Sequence, residues 1–301
     1  MGLGTVATDV IAQEALARLI QNLAFIKNIN TNFTQVGLAK GKSVFTHIIT
    51  EMEAQDWDTA YTNAGELQAA AQSDVEIPLD KHKHVTFQLT DAQRDASQIE
   101  LYGRFADVAA YALSKGIVEA LIGEDTIGAD AASLSNEIDV AGAGLTMSTI
   151  IDLGAQMDSA GIPEGSRWLV AHPTVLADLE KDVTEVTNAS FDVGGTILNG
   201  GVSRIRGFDI YSYNGGELVT TDDKIGAVAG YSETLCLVTA PPSTPPNASG
   251  ASLGYVGDAD SGLTIQKREW YDADKAVYNL ALTLYLGTKL SAGARGWKIK
   301  N

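Results

Sequence analysis

Between residues 81 and 90 the side chains alternate: Lys81, Lys83, Val85, Phe87 and Leu89 fall on one side, and His82, His84, Thr86, Gln88 and Thr90 on the other. A period of two puts these sets on opposite faces of a strand, one of them largely apolar. The period then changes. Leu101, Phe105, Val108, Ala109, Ala112, Leu113, Ile117 and Leu121 recur three and four residues apart, the spacing of one face of a helix. Thr90 with Gln93, or Ser97 with Glu100, supplies the reciprocal cap that satisfies free amides at a helix start, and Gly123 supplies a stop. Residues 77–121 therefore predict a strand followed by a long helix.

The same reading extends along the chain. Val10, Ile11, Leu16, Leu19, Ile20 and Leu23 predict an amphipathic helix over residues 9–26. Asn28, Asn30, Asn32 and Gly37 break that period, and residues 40–50 predict a strand. The acidic segment 51–74 sets Trp57 and Tyr61 among Ala, Asn, Gln and Gly. It is too polar for a core, so it predicts a projection whose aromatics need a partner surface. Residues 123–144 predict a surface connection, and residues 146–160 a helix ended by Gly161 and Pro163. A short buried strand is expected at 168–171, and His172-Pro173 opens a further helix, because proline suits a first helical turn. Strand patterns recur at 204–213, 225–231 and 234–239, which makes 146–240 a compact mixed domain. The Pro-rich segment 241–254 predicts an exposed loop. Strands at 263–271 and 275–286, joined at Asp272-Ala273-Asp274, predict a hairpin that packs on the long helix.

Length and charge narrow the function. The 301 residues suffice for one large domain or two ordinary ones. Cys236 is the single cysteine, so no intrachain disulfide forms, and its apolar neighbours make it a core residue rather than a nucleophile. A formal charge of −17 opposes tight binding of a nucleic-acid backbone. The first residues lack a secretory pattern, and no window approaches the roughly 20 apolar residues of a membrane span. A soluble protein made in the cytoplasm is expected.

Candidate chemistry is sparse. His82 and His84 share a strand face, yet only His47 and His172 remain and lysines flank the pair, so no metal site is expected. His172 fits a helix start better than a catalytic base. Thr234 stands where a GxSxG elbow around Ser232 would need glycine. The glycine runs at 142–144, 194–195 and 200–201 match neither phosphate-binding pattern, and Asp258-x-Asp260-x-Gly262 lacks the glutamate of a calcium loop. No catalytic residue, metal site or cofactor is assigned, and the chain does not read as an enzyme.

The stretch 77–121 together with GIPEGSRWLVAHPTVLADL at 161–179, and the order of elements around them, resembles the major capsid proteins of tailed bacteriophages. The resemblance implies an α+β, Hong Kong 97-like phage major capsid fold. Its parts would be an N-terminal arm at 1–42 and an extended β-hairpin loop at 43–89. A peripheral domain at 90–145 and 257–286 would carry the spine helix and long strands, and a compact axial α/β domain would take 146–256 and 287–301. It implies self-assembly into hexamers and pentamers of an icosahedral phage head, a virion component assembled in the host cytoplasm. That head would enclose double-stranded DNA without sequence-specific binding or membrane contact. Scaffolding, portal or decoration proteins would be further partners. Trp57 and Tyr61 are the expected aromatic anchors between subunits. Lys81, Lys83, Lys267 and Arg268 are the expected partners of acidic neighbours at subunit joints. Two other readings stand beside this one: an encapsulin-like nanocompartment shell, and a cytoplasmic hydrolase with His172 as base.

Overall fold

The computed structural model describes residues 12–19, 23–31, 42–49, 72–90, 100–140, 144–190, 204–218, 224–242, 251–258 and 262–300. The chain begins with helix α1 (residues 12–19) and a 3-10 turn at Ala24–Asn28, followed by strands β1 (Ser43–Ile49), β2 (Gln72–Pro78) and β3 (Lys81–Thr90). Helices α2 (Glu100–Leu121) and α3 (Glu124–Ile127) precede β4 (Asn136–Asp139), α4 (Met147–Ser159), β5 (Arg167–Ala171) and α5 (Pro173–Ser190). Strands β6 (Arg204–Ile205), β7 (Phe208–Ser212), β8 (Ile225–Tyr231) and β9 (Leu235–Ala240) come next. The chain closes with β10 (Ala251–Gly257), β11 (Thr264–Asp272), β12 (Val277–Leu290) and β13 (Trp297–Lys300). Among the described residues no helix is long and apolar enough to cross a membrane.

The strands form three sheets. β1 and β2 make a two-stranded ribbon, β10-β11-β12-β3 a sheet that β9 extends along β12, and β4-β13-β8-β5-β7-β6 a six-stranded mixed sheet. β12 is long enough to serve two partners on one edge. Its first half pairs with β11, its last six residues with β9, and β3 runs along the opposite edge from Val277 to Leu286. The alternation predicted for β3 is observed: His82, His84, Thr86, Gln88 and Thr90 are exposed, while Lys81, Lys83, Val85 and Phe87 are half-buried.

Helix α2 lies against β3 and β12, as the late hairpin predicted. The Phe87 and Phe105 rings stack at 5.2 Å. The buried stripe is Ala109, Ala110, Leu113, Ile117, Val118 and Leu121, packed in one cluster with Leu280, Leu282, Leu284 and Leu286. Two residues of the predicted stripe are displaced: Val108 is 67% exposed and Ala112 is exposed. The stripe turns one position because α1 and α2 share this cluster, so Ala110 and Val118 are covered in their place. Gly123 follows the helix end, where an added Cβ would lie 2.2 Å from the Glu119 carbonyl oxygen.

β5 is buried on both faces, and its alternation joins the cores. Trp168 and Val170 face the α1–α2 cluster, whereas Leu169 and Ala171 face a second cluster with Leu153 and Met157 of α4 and Val175 and Leu179 of α5. Thr146 caps α4, accepting a hydrogen bond from the Thr149 amide at 3.3 Å. Residues 23–31 bind the body directly: Asn30 N–H donates to the Leu235 carbonyl at 3.1 Å, and Leu237 N–H donates to the Asn30 carbonyl at 3.0 Å. Asn28 donates to Asp209 Oδ2 and the Tyr211 hydroxyl.

Several segments differ from the sequence reading. The connection at 123–144 contains α3 and β4, and β4 pairs in parallel with β13 near the end of the chain. Residues 204–213 are two strands, because Arg206 and Gly207 both take positive φ and turn the chain. β10 occupies the end of the segment expected as a loop and pairs with β11. β4 belongs to the six-stranded sheet, and β9 and β10 to the sheet beneath α2.

Candidate assembly surfaces

The β1–β2 ribbon stands on a small buried foot. Its strands pair from Ser43 with Pro78 to Ile49 with Gln72, and Leu79 N–H donates to the Lys42 carbonyl at 3.0 Å. Ile77 and Leu79 are fully buried with Cys236, Val238 and Ala240. Gly287 of β12 lets the ribbon approach, since a Cβ there would lie 2.7 Å from the Pro78 carbonyl oxygen. Farther out, Phe45 is 57% exposed. A two-stranded ribbon is marginal in water by itself, so its outer part gains stability only from another surface. Trp57 and Tyr61 belong to the segment between β1 and β2, outside the described residues.

The charged candidates have separate environments. Lys81 Nζ lies 3.4 Å from Asp125 Oδ2 and donates to Thr288 Oγ1 at 3.1 Å, so β3 is tied to α3 within one chain. The Lys83 stem runs beneath Gly116 of α2. Lys267 departs from the expectation of a subunit joint: its side chain is 1% exposed and pairs with buried Glu269, whose other oxygen accepts from the Tyr278 hydroxyl. The β11 register turns Lys267 into the sheet face beneath α2, where a charge persists only if paired. Arg268 points to the opposite face, half-buried, and its Nε donates to Gln266 Oε1 at 3.0 Å.

The residues weighed for chemistry take structural places. His172 Nε2–H donates to Asn214 Oδ1 at 3.1 Å, after β7, and its Nδ1 bonds with Thr174 Oγ1 at 2.9 Å at the start of α5. Gly230 exists for packing, because a Cβ would meet the Trp168 ring at 2.7 Å and Thr234 Oγ1 at 2.8 Å. Cys236 is buried, and desolvation pushes its thiol pKa up, which keeps it protonated. Among the described residues no group of three His, Cys, Asp or Glu side chains is placed to hold a metal.

Sequence reasoning missed two sets of residues. Arg167, fully buried, donates to Asp158 Oδ1 at 2.6 Å and to the Ile162 carbonyl, while Arg206 holds Asp158 Oδ2 at 3.1 Å. The hydrogen bond from Arg167, then that from Arg206, lowers the Asp158 pKa. The second set is exposed and apolar: Val108 and Tyr111 on α2, Tyr255 on β10, and Trp270 and Tyr271 on β11. The spacing of Val108 and Tyr111 signals a second helical face; the strand residues become neighbours only through register.

No protein-family model and no curated protein matches the chain. Solved structures do. The capsid of Ralstonia phage GP4 superposes with a TM-score of 0.58 at 11% identity, covering 90% of this chain and 86% of that one. A structure from Mycobacterium phage Che8 gives 0.57 at 16% identity, with 91% and 90% covered. The capsid of an empty GTA particle gives 0.58 at 11% identity, with 91% and 88% covered. The likeness runs over about nine-tenths of each chain, and the chain has the major capsid fold of tailed phages.

Proposed function

We propose that this protein is the shell subunit of a phage head, assembling into hexameric and pentameric capsomers that enclose double-stranded DNA. The observation that carries the reading is the extent of the likeness, which covers about nine-tenths of both chains in phage capsid structures. The β11–β12 sheet with α2 forms the peripheral part of the subunit in this reading. The six-stranded sheet with α4 and α5 forms the axial part, and the β1–β2 ribbon, with Trp57 and Tyr61 beyond it, spans to a neighbour. Closed shells arise from repeated contacts of this kind between identical chains. The charge of −17 suits a wall that encloses DNA without holding it.

Negative-stain imaging of particles from cells expressing the protein tests the proposal. Closed shells of uniform diameter are expected. A stable small oligomer at every concentration would contradict it, and shells that copurify with a specific enzyme cargo would assign the subunit to a nanocompartment instead.

A further inference from the structure

Strand β10 forms an outer edge of the sheet beneath α2, and its composition sets it apart from the other outer strands. Among the described strands it pairs only with β11. Residues 251–257 read ASLGYVG, without a charged residue or a proline, and their register with β11 runs without a bulge. Sheet edges are ordinarily protected from further pairing by a charge, a proline, a bulge or a covering segment. The other outer strands of the two larger sheets have such protection: Lys81 and Lys83 on β3, Glu137 and Asp139 on β4, Arg204 on β6, and the main chain of Asn30 against β9. An uncharged seven-residue edge in a chain of net charge −17 is a template for another strand.

The direction of its hydrogen bonds selects the partner. Asp258 N–H donates to the Leu263 carbonyl at 2.9 Å, in register with the pairs that run from Gly257 with Thr264 to Ala251 with Trp270. Antiparallel pairs alternate, so Ser252, Gly254 and Val256 exchange hydrogen bonds with β11, whereas Ala251, Leu253, Tyr255 and Gly257 turn their N–H and C=O groups towards the outer edge. Gly254 is the middle residue of the strand. Two copies laid antiparallel about Gly254 set Leu253 opposite Tyr255 and Ala251 opposite Gly257, and both members of each pair turn bonding groups outward. A register shifted by one residue would set those groups against ones already bonded to β11. Gly254 meets its own copy in the narrow, non-hydrogen-bonded position, where Cα atoms lie about 4.5 Å apart and two larger side chains would crowd. Tyr255 is 47% exposed, and Leu253 of the second copy would cover its ring as a cross-strand neighbour.

We infer that β10 pairs with β10 of a second copy of this chain across a two-fold axis at Gly254, joining two sheets into one. Contacts that close a ring of subunits are head-to-tail, whereas this one is isologous, so it links subunits of different capsomers. That placement rests on the shell reading; the pairing itself is a property of the strand.

Disulfide trapping between two singly substituted chains tests it. Cys236 is buried and contributes no accessible thiol. Particles from cells co-expressing the full-length variants Leu253→Cys and Tyr255→Cys, oxidised with diamide, are expected to give covalent dimers, because Cα atoms of a hydrogen-bonded pair lie about 5.5 Å apart, within disulfide reach. Either variant alone places its cysteines on the diagonal, roughly 7–8 Å apart, so the co-expressed pair should give at least tenfold more dimer. An equal yield from a single variant overturns the inference. Particles without the crosslink also overturn it and leave the shell reading intact. If the unmodified protein forms no particles, the shell reading fails, and the same crosslink in the concentrated subunit decides the pairing: dimer sustains it, and absence of dimer refutes it. Leu253→Pro gives an independent check, since β11 does not use the Leu253 N–H and proline is tolerated at such an edge position. Particle yield is expected to fall at least tenfold while circular dichroism shows the free subunit folded, and an unchanged yield would overturn the inference.

Discussion

Arg167 shows what a single residue hides in sequence. Its charge is visible in GSRWLVAH, but nothing local indicates that β5 carries the side chain to zero exposure, with Asp158 of α4 as its counter-ion. Lys267 has the same history, a surface charge by type and a buried one by register. Removing the partner of a buried cation destabilises because the remaining charge has no solvent to return to. Asp158 has a depressed pKa in the folded state, so its contribution is present above the ordinary aspartate value near 4 and is lost as the pH falls below it. Asp158→Asn is therefore expected to lower the melting temperature at pH 7 and to flatten its decline below about pH 4. An unaltered melting curve at pH 7 would show that Arg167 draws its support elsewhere.

At the scale of elements, periodicity located β3, α2, α4 and the β11–β12 hairpin, because each carries its burial pattern in consecutive residues. It overlooked β4 and β10, short strands whose identity comes from partners rather than from their own alternation. The predicted stripe of α2 is buried at Ala109, Leu113, Ile117 and Leu121 but exposed at Val108 and Ala112, and this makes a paired test. Ile117→Ala, at 0% exposure, is expected to cost about 2–5 kcal/mol in urea unfolding of the unassembled subunit. Val108→Ala, at 67% exposure, should change that stability by less than about 0.5 kcal/mol. Equal losses would mean that Val108 is covered in the free subunit. At the foot of the ribbon, Gly287→Ala introduces a methyl against the Pro78 carbonyl and is expected to cost about 1–3 kcal/mol. The same measurement checks it, and no loss would mean that the foot moves freely.

For the whole molecule, the order of elements carried the fold, while the sheet memberships depended on pairings far apart in sequence. β12 alone unites β3, β9 and β11, and the turn at 232–234 passes the chain from one sheet to the other. The anchors proposed between subunits, Trp57 and Tyr61, were legible only as aromatics without a core, and both lie outside the described residues. Trp57→Ala is expected to reduce shell yield while circular dichroism and melting temperature of the free subunit stay unchanged; full yield would remove that residue from the interface. The central claim is that copies of this chain complete one another. Sedimentation velocity across a hundredfold range of concentration tests it most directly. The account predicts a megadalton species of narrow size that grows at the expense of the free subunit, and a single slow boundary at the monomer mass throughout would contradict it.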